Sequence, residues 1–241
     1  MGTFHFHDFL LGLVAFTSEF LGTLSGFGSS TFFVPIGLLL ENFKFILVLT
    51  SLLHCFGNTI RIILFRKSFS KKTFFTFFIS SVTFTGVGAL LTLIIKPYWL
   101  MKLLGVALVF ISLTLFSNRF KELKAKMPFA VFLSSCSGFF TGLVGTGGAL
   151  RGAALSTLSL SKETFIVTSA SIDLGGDLLR AFIYLKNGYM DWSQSFYIPI
   201  LLGTAYIGSK IGQMVVAHIH QSQFEKIVSL FILISGVILL F

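Results

Sequence analysis

FFTGLVGTGGALRGAAL, residues 139–155, places Gly145, Gly147 and Gly148 within four positions of an apolar run and follows them with Arg151. Inside a helix each glycine costs roughly 1 kcal/mol relative to alanine. Three together predict an interruption at which the bare backbone is used. A side chain there would keep the backbone from approaching a ligand closely.

The rest of the chain sets the solvent for that interruption. Of 241 residues, 54% are hydrophobic and 11% are charged, where a soluble domain carries about 25% charged residues. Apolar segments fall at 9–24, 31–40, 45–65, 73–95, 99–117, 129–144, 149–160, 164–185, 194–217 and 224–241. Their lengths and number predict an all-α, polytopic membrane protein forming a single transmembrane domain over residues 1–241. The 31 phenylalanines read as lipid-facing and packing bulk.

Eighteen Lys and Arg against nine Asp and Glu leave the chain basic. The excess sits in loops: Arg66, Lys67, Lys71 and Lys72 in one, Arg119, Lys121, Lys124 and Lys126 in another. These are positive-inside anchors, and with no aromatic platform among them they predict no nucleic-acid partner. Cys55 and Cys136 lie in apolar segments without a CxxC pairing, so small buried side chains are expected, with neither a disulfide nor a metal. His5 and His7 read as polar flanks. No Lys or Arg precedes the first apolar run, which argues against a cleaved signal peptide. No cofactor or nucleotide motif is present.

Sliding the chain on itself by 119 positions lays residues 20–65 on 139–184 without a gap. Gly26 then meets Gly145, Gly28 meets Gly147, Gly57 meets Gly176, Arg61 meets Arg180, and Asn58 stands opposite Asp177. Rare residues in fixed register predict a duplication, with repeat 1 at 1–117, a cytoplasmic linker at 118–128 and repeat 2 at 129–241. Short, glycine-interrupted segments at matching positions point to a transporter built from such halves. Two spans separate the basic loops, so both face the cytoplasm. If 9–40 is a re-entrant hairpin, each repeat has three true crossings and the second repeat is inverted. If it spans, the count changes.

A broken helix in hydrocarbon is tolerated only where protein or a water-filled cavity covers its unpaired groups. The new helix presents free N–H groups and its positive dipole end. Two breaks, around Gly26, Gly28, Ser29 and Ser30 and around Gly145, Thr146, Gly147 and Gly148, can aim at one midplane point and bind an anion. The alternative reading of both is close helix packing.

GFGSSTFFVPIGLLL in the first half, GLVGTGGALRGAAL in the second, and NGYMDW after the following helix together resemble the TauE/SafE family of sulfite exporters and sulfonate-uptake permeases. The resemblance covers nearly the whole chain. It implies transport of a sulfur-containing oxyanion, sulfite or an organosulfonate, across the inner membrane of a bacterium.

Ionisable residues inside spans are functional candidates by default. Asp173, Asp177 and Arg180 are spaced i, i+4, i+7 on one helical face. Arg180 and Arg61 suit an oxyanion, since a guanidinium fork matches a sulfonate bidentately. Alternatively Asp177 neutralises Arg180, and Arg61 snorkels to the cytoplasmic surface. Arg151, Asn58 and Asp177 complete the candidate binding set. Glu19, Asp173 and His54 are candidates for coupling to a proton.

The expected function is secondary transport of a small sulfur oxyanion by alternating access, with the lipid bilayer and the anion as partners; a homodimer is open. A small-anion channel shares these features. An intramembrane enzyme is the remote alternative, because no GxSxG or HExxH motif occurs and no catalytic residue stands out.

Overall fold

A computed structural model describes residues 6–26, 28–116, 127–156, 158, 160–216, 218, 220, 230, 233–234 and 236–240. The expected linker basics Arg119, Lys121, Lys124 and Lys126, and His5, lie outside these residues. The described residues are mostly helical: α1 (Phe6–Ser25), α2 (Ser30–Gly37), α3 (Phe43–Phe65), α4 (Lys71–Leu91), α5 (Pro97–Phe116), α6 (Met127–Val144), α7 (Gly148–Ser156), α8 (Lys162–Lys186) and α9 (Tyr197–Val216). A 3-10 turn, Arg66–Ser68, follows α3. Every apolar segment from 9 to 217 corresponds to one helix, and the short ones end early, at Gly37 and Ser156.

Local chemistry explains the boundaries. Asn42 caps α3 by accepting from Phe45 N at 3.0 Å, and Ser161 caps α8 by accepting from Thr164 N at 3.3 Å. Both satisfy an amide that the first helical turn leaves without a partner. Gly26 and Gly145 end α1 and α6 in the left-handed region, φ +70° and +84°. Each closes its helix with an N–H to the carbonyl four residues back, Gly22 at 3.0 Å and Thr141 at 3.1 Å. Left-handed backbone at a helix end is glycine's ordinary place.

Among the described residues, four helical stretches are long and apolar enough to cross a membrane: Phe6–Ser25, Phe43–Ser68, Lys71–Leu91 and Met127–Val144. α8 has the length, 25 residues, but carries Asp173, Asp177 and Arg180 turned inward. With 8 and 9 residues, α2 and α7 reach only about 12–14 Å, too little to span. Large apolar side chains cover the outer faces, among them Phe75 and Ile79 on α4, Val106 and Phe110 on α5, and Met214 on α9. Water would not tolerate such a surface; lipid requires it.

Packing is reciprocal across the chain. α1 lies along α9, and α4 along α6; α3 packs on α8 and α9, and α8 on α3 and α4. α1 folds back on α2, α6 on α7, and the short helices α2 and α7 touch. The long pairings are close because glycines line them. On α6, Gly138 and Gly142 sit where any Cβ would strike the α4 backbone at Ser81 and Thr85. On α9, a Cβ at Gly208 would lie 2.9 Å from Phe16 O of α1. Gly138 with Gly142, and Gly208 with Gly212, are GxxxG pairs, the spacing that lets backbones approach within a membrane.

The α1–α2 unit is a hairpin whose open ends meet. His7 Nε2 lies 2.7 Å from the Leu40 carbonyl, and its Nδ1 lies 3.6 Å from Glu41 Oε1. Asp8 hydrogen-bonds the Tyr197 hydroxyl beside them.

Candidate functional site

The tips of the α1–α2 and α6–α7 hairpins meet in the interior. Thr146 Oγ1 lies 3.4 Å from Thr31 Oγ1 and 3.5 Å from Ser30 Oγ. All three hydroxyls are buried. Two discontinuous helices thus bring Gly26, Gly28, Ser29 and Ser30 on one side against Gly145, Thr146, Gly147 and Gly148 on the other. α3 and α8 flank the meeting point and supply its charges.

On α8, Arg180 is fully enclosed. Its Nε donates to Asp177 Oδ1 at 2.9 Å, and Nη1 donates to the carbonyls of Thr141 (3.3 Å) and Gly145 (3.5 Å). These are carbonyls exposed where α6 stops, so the guanidinium serves as the helix's C-terminal partner. The remaining nitrogen, Nη2, is buried without a hydrogen-bond partner. Asp177 accepts from Asn58 Nδ2 of α3 at 2.7 Å. It also faces His54 Nδ1 at 3.5 Å. Ser30 N–H donates to His54 Nε2 at 2.9 Å, which assigns the ring proton to Nδ1 and leaves the imidazole neutral. The free amide expected at the first break is therefore taken by His54, and the chain Ser30, His54, Asp177, Arg180 joins the two breaks.

Arg61 does not snorkel. It is buried and turns inward, donating from Nε to the Gly57 carbonyl at 3.2 Å and facing Glu19 Oε2 of α1 at 3.4 Å. The reason is Glu19 itself: a carboxylate in hydrocarbon must find a charge or donors, and Arg61 lies within reach. Ser29 Oγ donates to Glu19 Oε1 at 2.5 Å and Ser209 Oγ to Oε2 at 3.2 Å. Arg151 pairs with Asp173 of α8 and donates from Nη2 to Ser137 Oγ at 3.1 Å. So Asp173, expected beside Asp177 and Arg180, answers a different arginine.

The glycines of the second break divide by role. Gly145 needs its positive φ. Gly147 has no such φ, but a Cβ there would run into the Ser137 carbonyl of α6, and Ser137 Oγ donates back to Gly147 O at 2.7 Å. Its bareness serves packing within the hairpin, where the sequence suggested an open backbone. Ser137, Ser209 and Thr141 join the site, and nothing in the sequence context of Ser137 or Thr141 marks them. For Ser209 a signal exists: it sits inside the Gly208–Gly212 pair that binds α9 to α1.

Above Arg180, on the end opposite the Arg66–Lys72 loop, the Tyr184 hydroxyl donates to the Gly142 carbonyl. Its ring stacks on Tyr189, centroids 5.4 Å apart, and Lys44 Nζ lies 4.9 Å over the Tyr189 ring. Among the described residues no cluster of His, Cys, Asp and Glu could hold a metal.

Paired discontinuous helices, buried arginines with spare N–H groups and a lipid-facing exterior define a membrane transporter of the broken-helix class. The chain belongs to the sulfite exporter TauE/SafE family, whose model matches residues 10–239. No curated protein and no solved structure matches it.

Proposed function

We propose that the protein is a secondary transporter carrying a small sulfur-containing oxyanion, sulfite or an organosulfonate, by alternating access around the meeting point of the two breaks. The observation that carries this reading is a set of buried, incompletely bonded cation donors on the helices around that point: Arg180 Nη2 of α8, Arg61 Nη2 of α3 and Arg151 Nε of α7 all lack hydrogen-bond partners. A guanidinium N–H buried without an acceptor is costly, and a tetrahedral or pyramidal oxyanion supplies acceptors in several directions. The hydroxyls of Ser30, Thr31 and Thr146 add neutral donors, and Asn58 and Asp177 fix the orientation of Arg180.

The halves 1–117 and 129–241 act as two inverted repeats joined by a cytoplasmic linker. Supporting this, the capping residues Asn42 and Ser161 and the left-handed glycines Gly26 and Gly145 keep the 119-residue register. The packing partners also exchange in the same way: α1 with α9 answers α6 with α4. The α1–α2 and α6–α7 hairpins are re-entrant, and the Arg66–Lys72 loop faces the cytoplasm of a bacterial cell.

The test is uptake of labelled sulfite and of a small labelled sulfonate into proteoliposomes, with chloride and phosphate as competitors. Saturable uptake with counterflow, specific for the sulfur anions, is the expected result. Equal leakage of all small anions is what a channel gives.

A further inference from the structure

Two buried ion pairs tie the hairpins to the long central helices, and their polarities are opposite. On the first hairpin the acid belongs to the hairpin: Glu19 of α1 faces Arg61 of α3. On the second the base does: Arg151 of α7 pairs with Asp173 of α8. The third pair, Asp177 with Arg180, lies within α8, so no movement between helices can strain it. At the position of α3 that corresponds to Asp177 stands the neutral Asn58. Arg61 thus has no acid one turn away on its own helix, and its ion pair is made with Glu19 of α1.

Glu19 is seated so that it can change state. Gly57 opens the space for it, since a Cβ there would collide with both carboxylate oxygens. The groups facing it are Arg61 from α3, Ser29 from the break and Ser209 from α9, and of these only Arg61 is charged. Arg61 Nη2 lies within ion-pair distance of Oε2 yet makes no hydrogen bond, in a residue 2% exposed. The pair is held by charge and not by a directed bond.

The charges of the interior cancel. Apart from Asp8, at the far end of α1, the buried charged side chains among the described residues are Glu19, Asp173 and Asp177 against Arg61, Arg151 and Arg180. An arriving monoanion leaves that interior one negative charge in excess, which a low-dielectric site resists.

We propose, resting on the transport reading above, that Glu19 carries a proton across with each anion, exchanging its hold on Arg61 for that proton. A proton from the aqueous side adds to the Glu19 carboxylate and gives the neutral acid. Arg61 then pairs with the anion, and the interior stays neutral. Release of the anion on the other side returns Arg61 to Glu19 and expels the proton to water. The same step removes the ion pair between the α1–α2 hairpin and α3 and leaves the Ser30–His54 hydrogen bond as a polar tie between them, so charge exchange loosens the hairpin.

Labelled methanesulfonate is the probe, because its charge is fixed across the pH range and any pH response belongs to the protein. In proteoliposomes with the membrane potential clamped at zero, one pH unit drives roughly tenfold accumulation if one proton accompanies each anion. Wild type is expected to reach that ratio and to move the sulfonate without net current. Glu19→Gln is expected to fall to a ratio of about one and to carry current, since an uncoupled anion moves its own charge. A Glu19→Gln protein that still accumulates about tenfold overturns the proposal. If Glu19→Gln is folded but silent, Glu19→Asp decides: coupled accumulation supports the proton-carrying role, and silence in that variant also overturns it. Wild-type counterflow of methanesulfonate that ignores the pH gradient overturns the coupling and leaves the transport reading standing. No counterflow of either methanesulfonate or sulfite in wild type removes both.

Discussion

Asn58 Nδ2 donates to Asp177 Oδ2 at 2.7 Å, and these two residues are 119 positions apart, the interval that also relates Gly26 to Gly145 and Arg61 to Arg180. In the proposed duplication, corresponding residues touch where the two halves meet, and the contact between α3 and α8 is that meeting line. One half supplies an acid there and the other an amide.

Asp177→Asn removes the acid from a buried pair and leaves Arg180 with an uncompensated charge. Breaking a buried pair in this way costs on the order of 3–5 kcal/mol. The expected outcome is a large fall in the unfolding midpoint in detergent. An unchanged midpoint would show that water or an anion already compensates Arg180.

Arg180→Ala is expected to abolish uptake of the sulfur anion. Arg180→Lys separates charge from geometry: it keeps the cation but loses the planar fork. Uptake in the lysine variant should drop roughly tenfold, the rate equivalent of about 1.4 kcal/mol. Wild-type flux from Arg180→Lys would mean that the fork is not used.

Two left-handed glycines form a matched pair for measuring packing at the break. Gly188, φ +69°, has no atom within 4 Å of a built Cβ, whereas at Gly145 a Cβ would lie 2.9 Å from Leu47 Cδ2. Alanine at Gly188 should cost only the left-handed penalty, about 1–2 kcal/mol. Alanine at Gly145 should cost measurably more and reduce uptake as well. Equal losses of stability would show that Leu47 moves aside freely.

Ser30→Ala and Thr146→Val remove the hydroxyls through which the breaks meet. Those contacts are long, 3.4 to 3.5 Å, and contribute little to stability, below about 1 kcal/mol. Both variants should unfold near the wild-type midpoint and show a raised KM for the anion. A lower midpoint with unchanged KM would make the hydroxyls structural.

Tyr184→Phe leaves the Gly142 carbonyl without its donor in a buried setting. The expected loss is about 1–2 kcal/mol, read as a lower midpoint, while the stacking on Tyr189 stays in place.

Much of the fold was legible because hydropathy and glycine act locally. Segment ends, the two breaks and their common register follow from residues that neighbour one another in the chain. The ion pairs did not follow in the same way. Arg61 looked placed to reach the cytoplasmic surface because its own helix ends nearby, at Phe65; its true partner, Glu19, belongs to another helix 42 positions earlier. Gly147 read as open backbone because a glycine signals space without saying what fills it, and here a neighbouring carbonyl does. Ser137 was invisible for a related reason: a lone serine in an apolar segment gains meaning only from the helix against which it packs.

The α1–α9 crossing also bears on how the protein is made. Glu19 and Ser209 are 190 residues apart, and synthesis at 5–20 residues per second separates their emergence by roughly 10–40 seconds. Through that interval the first hairpin is in the membrane without the helix that closes its polar face. Its buried acid must be sheltered by Arg61, which follows within a few seconds, or by the insertion machinery. A stop between α8 and α9 therefore leaves a chain whose first helix lacks its main packing partner, so the defect lies at its beginning, far from the point where it was cut.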